Sequence, residues 1–209
     1  MIFQQIAEAV RNGKVKDAKE LTQKAIDEGC NPIEIIDEGL VKGMGVVGEL
    51  FGSGQMFVPE VMMASKAMNS GMELIKPLIG ADEIKSKATC VFATVKGDLH
   101  DIGKKLVVLM LEGAGFRVID LGVDVKVETI VEAVKKENAD IVGLSAMLTT
   151  TMNCMKEVAD TLKEAGLDKV KIMIGGAPVN DSYAEKIGCR YSKDASEAVI
   201  LANKLVEEL

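Results

Sequence analysis

Ala88-Thr89-Cys90-Val91-Phe92-Ala93-Thr94-Val95, followed by Lys96-Gly97-Asp98-Leu99-His100-Asp101-Ile102-Gly103, decides how this 209-residue chain is read. The first block is almost continuously apolar, with no helical spacing, and suits a strand buried on both faces. The second is a polar loop with glycine near each end, and a helical pattern follows over residues 102–111. The same alternation continues downstream. Apolar runs at residues 116–121, 140–145, 170–174 and, weakly, 189–191 alternate with helical patterns at 127–136, 152–165, 182–187 and 196–209. Short apolar strands joined by helices predict an α/β fold: a doubly wound, five-stranded parallel sheet of the flavodoxin or Rossmann-like kind. In such a sheet ligands sit at the carboxyl ends of the strands, which is where the loop at 96–103 falls.

Upstream of residue 80 the rhythm is helical. Asn12-Gly13 separates a first helix from a second, whose apolar positions Val15, Ala18, Leu21 and Ala25 follow three-and-four spacing. Gly29-Cys30-Asn31-Pro32 supplies a stop, an N-cap and a proline in the first turn of a third helix. That helix runs to Phe51, where Gly52-Ser53-Gly54 breaks it, and a fourth extends from Val58-Pro59 to Lys76-Pro77. The expected organisation is an N-terminal four-helix bundle, residues 1–86, and an α/β domain, residues 87–209, with a linker near residues 80–87. Six of the twelve methionines lie between Met44 and Met72. Methionine is an adaptable filler, so the cluster is read either as core or as a soft surface for a large flat ligand.

With 25 Lys and Arg against 32 Asp and Glu, the net charge is −7, shared by both halves; no basic surface is available for nucleic acid. No stretch approaches the length of a membrane span and the first residues lack a secretory signal, so a cytoplasmic protein with no membrane partner is expected. Cys30, Cys90, Cys154 and Cys189 are widely spaced, without a Cys-x-x-Cys pair, and are read as reduced core residues.

His100 is the single histidine of the chain. Alone, a loop histidine is more often a surface or capping residue, and with no other histidine and no cysteine cluster it cannot complete a zinc site. A metal already held by a macrocycle needs only one protein ligand. Asp98, two residues earlier, is placed to fix the imidazole tautomer, and Gly103 lets the next helix approach a bulky ligand.

Asp98-Leu99-His100-Asp101-Ile102-Gly103 resembles the Asp-x-His-x-x-Gly motif of cobalamin-binding domains. Two companion elements fall at later strand ends in the family's order: Ser145-Ala146-Met147, where the family pattern has leucine in the third place, and Gly175-Gly176. The helical half, over Gly45 to Val61, resembles the cap of cobalamin-dependent methionine synthase and of the corrinoid proteins of methylamine, betaine and methanol methyltransferase systems. The resemblance implies a cobalamin or related corrinoid, with Gly97, Asp98, Leu99, His100, Asp101, Ile102 and Gly103 around its lower face and His100 as the axial cobalt ligand. Its nucleotide tail would thread past Ser145, Met147, Gly175 and Gly176. Thr149 and Thr151 match hydroxyl positions near the nucleotide or behind Asp98 and His100, and Ala195 a position near the nucleotide. Phe51, Val58 and Val61 would cover the upper face.

The implied function is that of a corrinoid methyl carrier. Cobalt(I) would accept a methyl group from a substrate:corrinoid methyltransferase, and methyl-cobalt(III) would yield it to a second methyltransferase acting on a folate or thiol. A reductive activase would be a further partner. His100 and Asp98 would control the lower coordination. Such a chain is a non-catalytic subunit, not a complete enzyme, and an amine or betaine system is favoured. A cobalamin-dependent sensor and the cofactor subunit of an adenosylcobalamin mutase are the competing readings. The absence of a basic DNA-binding region argues against the first, and the helical cap against the second.

Overall fold

The computed structural model describes residues 1–79 and 86–209. The chain divides into two compact units, Met1–Ser86 with Gly113–Gly115, and Lys87–Glu112 with Phe116–Leu209. Most of the linker expected at residues 80–87 lies outside the described residues.

The first unit is helical: α1 (Ile2–Arg11), α2 (Val15–Asp27), α3 (Pro32–Glu34), α4 (Lys42–Gly52) and α5 (Val58–Ile75). Its local signals act where the sequence puts them. Asn31 accepts the Ile33 N–H at 2.8 Å to cap α3, with Pro32 in the first turn. At α5 the Phe57 N–H donates to Glu60 Oε2 at 2.9 Å, the return half of a capping box. The third helix differs from expectation in one respect. Between α3 and α4 the chain does not hold α-helical bonding but widens into a π-helical stretch, Ile35–Val41. Periodicity cannot reveal such a widening, because it leaves Ile35, Ile36 and Leu40 buried as an α-helix would. Gly39 and Gly43 belong to this region, and a Cβ on either would press on α1, at Ile6 and Ala7 respectively. The methionine cluster is divided: Met44 and Met68 are buried, whereas Met62 and Met63 are exposed.

The second unit is a five-stranded, wholly parallel sheet. Its elements in order are β1 (Thr89–Thr94), α6 (Ile102–Gly113), β2 (Arg117–Asp120), α7 (Val127–Glu137), β3 (Ile141–Ser145), α8 (Asn153–Glu164), β4 (Lys171–Gly175), α9 (Asp181–Lys186), β5 (Arg190–Tyr191) and α10 (Ala195–Glu207). The strand order is β2-β1-β3-β4-β5, the doubly wound arrangement that the alternation predicted. Val91, Ala93, Val142, Leu144 and Ile174 of the sheet pack with Ile130 and Val134 of α7 and Met155, Val158 and Leu162 of α8. Each buried Val, Leu, Ile or Met among them contributes roughly 1.5–3 kcal/mol relative to exposure.

Two details of the sheet set up the site. The register pairs Thr94 of β1 with Ser145 of β3, and Ser145 with Gly175 of β4, so three adjacent strands end level with one another. Phe92 pairs with Gly143, and its ring occupies the space where a Gly143 side chain would stand. Gly143→Ala is therefore expected to lower stability by about 1–3 kcal/mol through overpacking, measured by urea unfolding; an unchanged midpoint would contradict this packing.

Burial also separates the thiols. It pushes Cys90 and Cys189 up to about 12, with Asp140 and Asp160 respectively adding to the shift. All four cysteines are unpaired. In the native protein near pH 8, Cys90 and Cys189 should resist a thiol-reactive reagent and react only on unfolding. Cys30 and Cys154, half-buried, should be labelled first.

Candidate functional site: a histidine on a buried carboxylate

The loop between β1 and α6 carries a carboxylate buried at its centre. Asp98 has no exposed surface. Its Oδ1 lies 2.8 Å from His100 Nδ1 and accepts the His100 backbone N–H at 3.1 Å. Its Oδ2 accepts the Met147 N–H at 2.7 Å, the Leu148 N–H at 3.3 Å and the Thr151 hydroxyl at 2.9 Å. Burial acts to raise the Asp98 pKa, but the bonds from Met147, His100 and Thr151 outweigh it and hold the carboxyl well below the usual range. An ionised carboxylate only accepts, so the bond to His100 places hydrogen on Nδ1 and, in the neutral ring, leaves the Nε2 lone pair free. The His100 side chain is 57% exposed, so that nitrogen can reach a ligand.

Around the imidazole the surface is apolar. Leu99 is 72% and Ile102 82% exposed, and Met147 and Leu148 also present their side chains to solvent. Gly103, the second residue of α6, faces open space: a Cβ there would meet nothing within 4 Å. No neighbouring chain atom requires glycine at this position. An exposed nitrogen with a free lone pair among apolar side chains, near a glycine that leaves space clear, fits a metal inside a broad, flat, largely apolar ring. Among the described residues no group of three or more His, Cys, Asp or Glu is placed to hold a bare metal ion.

The other residues singled out from the sequence take distinct places. Thr151 is buried behind Asp98, while Thr149 is exposed. Met147 serves Asp98 through its backbone, which explains why methionine in a leucine position leaves the carboxylate's support intact. Ser145 is half-buried at the end of β3, level with Gly175. Gly176 has φ +127°, and any Cβ would overlap the Ala146 carbonyl; its glycine is demanded by the close approach of the two strand ends themselves. Ala195 is buried at the start of α10. Asp101 pairs with Lys105 one turn on, at 2.5 Å. In the helical unit, Phe51 is half-buried and Val58 partly exposed, whereas Val61 has no exposed surface.

Sequence reasoning missed the residues that hold the loop from below. Thr94 donates its hydroxyl to the His100 carbonyl at 3.0 Å. Lys104, almost fully buried, pairs with Asp120 at the end of β2 and donates to the Gly122 carbonyl at 2.8 Å. The chain after β2 also returns to the loop, with Asp124 Oδ1 accepting the Gly97 N–H at 2.7 Å. A lysine just inside a helix and an aspartate closing a strand were visible, but nothing in their spacing linked them.

The B12 binding domain family matches residues 88–200, and a second B12 binding domain family matches residues 2–76. A dimethylamine corrinoid protein of Methanosarcina acetivorans is 46% identical over 208 residues, 98% of this chain and 97% of that protein. The crystal structure of the methanol:cobalamin methyltransferase complex MtaBC from Methanosarcina barkeri contains a chain 38% identical, with a TM-score of 0.92 over 100% of this chain and 80% of that one. A cobalamin-binding protein from Desulfitobacterium hafniense is 35% identical, with a TM-score of 0.79 over 97% of this chain and 98% of its own. The chain belongs to the B12-binding corrinoid proteins, and its cofactor is cobalamin or a related corrinoid.

Because no protein atom demands glycine at 103, Gly103→Leu should leave the cofactor-free protein folded with little change in melting temperature. It should weaken cobalamin binding by about tenfold or more, each methylene placed against the ring adding to the obstruction. Unchanged affinity would separate Gly103 from the cofactor surface.

Proposed function

We propose that the protein is a methyl carrier of a methylamine-type methyltransferase system, with His100 as the lower axial ligand of its corrinoid. The single observation that carries this reading is the Asp98–His100 pair, which leaves one imidazole nitrogen free among exposed Leu99 and Ile102. Bound corrinoid supplies a cobalt centre able to accept and release a methyl group. The protein's own part is to hold the imidazole in one tautomer and one orientation, through Asp98 and its three donors from residues 147–151. Gly97, Asp101 and Gly103 shape the loop around that ring. Ser145, Met147, Thr149, Gly175, Gly176 and Ala195 are assigned to the nucleotide tail, with Ser145 able to hydrogen-bond it. Phe51 and Val58 of the helical unit are assigned to shielding the upper face, and Val61, which has no exposed surface, to the packing behind them.

One partner, a substrate:corrinoid methyltransferase, would deliver the methyl group. A second methyltransferase would pass it to a folate or thiol acceptor, and a reductive activase would restore cobalt(I) after oxidation. The likeness to a dimethylamine corrinoid protein at 46% identity supports a methylated amine as donor. Among the described residues no helix is long and apolar enough to cross a membrane.

The test is reconstitution. The protein loaded with reduced cobalamin is mixed with methyltransferases for methylamine, dimethylamine, trimethylamine or methanol and the matching substrate. The expected result is one methyl group per bound corrinoid with an amine system, removed again by a thiol methyltransferase. His100→Ala should lose the histidine-on spectrum of bound methylcobalamin. Absence of methylation with every donor would overturn the carrier reading.

A further inference from the structure

The loop that carries His100 is tied at both ends to one segment of chain, the end of β2 and the connection that follows it. At the far end, buried Lys104 is held by Asp120 and by the Gly122 carbonyl. At the near end the tie is reciprocal. Asp124 Oδ1 accepts the Gly97 N–H at 2.7 Å, and the Asp124 N–H donates to the Asp98 carbonyl at 3.0 Å. The adjacent Val125 N–H donates to the Thr94 carbonyl at 3.1 Å, and Val95 and Val125 form an isolated parallel bridge.

Two backbone conformations meet at this clasp. Gly97 has φ +81°, and Asp124 has φ +52°, one of two non-glycine residues described with positive φ. Left-handed backbone disfavours a residue with a Cβ, though aspartate tolerates it better than most. Glycine would relieve that cost at Asp124 but would remove the acceptor for the Gly97 N–H. The N–H it holds belongs to the Lys96–Gly97 peptide, one before the peptide that leads into Asp98. The carboxylate of Asp98 is fixed from the β3 side by Met147, Leu148 and Thr151. Its main chain is fixed from the β2 side by Asp124. Between these two anchors the carboxylate lies 2.8 Å from His100 Nδ1.

The geometry points to Asp124 as a positioning residue for His100: a backbone clasp, outside the cofactor-binding motif, that sets the orientation and tautomer of the imidazole. This role rests on the reading of His100 as cobalt ligand, but it acts in the cofactor-free protein, where it can be read separately. His100 is the only histidine, so [15N]histidine labelling gives one pair of ring nitrogens. Wild type should show an Nδ1-protonated ring. In Asp124→Gly, which keeps the left-handed backbone, the Nδ1–H signal should be lost to tautomer exchange. Methylcobalamin affinity should fall about tenfold, the low end of what outer partners of a metal ligand contribute. Asp124→Asn, which keeps both the backbone conformation and an acceptor oxygen, should behave as wild type in both measurements.

Ring signals and affinity in Asp124→Gly indistinguishable from wild type would overturn the proposal. So would an Asp124→Asn protein as perturbed as the glycine variant. A His100→Ala protein with an unchanged bound-cobalamin spectrum would defeat the ligand reading alone, because the ring signals of the cofactor-free protein report positioning without it.

Discussion

The Asp98 carboxylate, fully buried and taking hydrogen bonds from both sides, is the interaction on which the rest of the site depends. An ionised carboxylate without partners would be costly in this place. Here the backbone of residues 147 and 148, the Thr151 hydroxyl and the His100 amide and ring satisfy its oxygens, and the net effect holds the acid ionised. One consequence is directional. With Nδ1 committed to Asp98, Nε2 is left free on an exposed ring, in a segment that also exposes Leu99 and Ile102. The carboxylate thus links the end of strand β3 to an exposed imidazole on the loop after β1.

That linkage requires the strands to end together. The register that sets Thr94, Ser145 and Gly175 side by side brings three connecting segments to one edge of the sheet. Close approach at that edge accounts for Gly176, whose missing Cβ makes room for the Ala146 carbonyl. Gly103 has a different cause, since nothing in the protein fills the space beside it. The two glycines look alike in sequence, yet one serves the chain's own packing and the other leaves room for something else. Buried Lys104 pairs with the more exposed Asp120 to anchor the start of α6, so the imidazole sits on a loop with both ends held.

Much of this was legible in the sequence. The shift from helical spacing to short apolar runs after residue 86 announced the sheet, and the runs at residues 140–145 and 170–174 located the strands to within a residue. Asp98, His100 and Gly103 were legible because their spacing is a motif. The π-helical stretch at Ile35–Val41 was not, since it buries the same residues as an α-helix would. Thr94, Lys104, Asp120 and Asp124 were not either, because their partners lie on other elements and only the parallel register brings them together. The support Asp98 receives from Met147 was hidden for another reason: it comes from the backbone, which has no sequence signature.

The central claim is that the imidazole of His100 is the nitrogen on cobalt, and having one histidine makes it directly measurable. Protein loaded with cob(II)alamin, prepared with natural-abundance and with [15N]histidine, can be compared by electron paramagnetic resonance. Coordination by His100 predicts that the nitrogen superhyperfine triplet collapses to a doublet on labelling. A triplet that persists unchanged would mean that the cofactor's own base, not this protein, occupies the lower face.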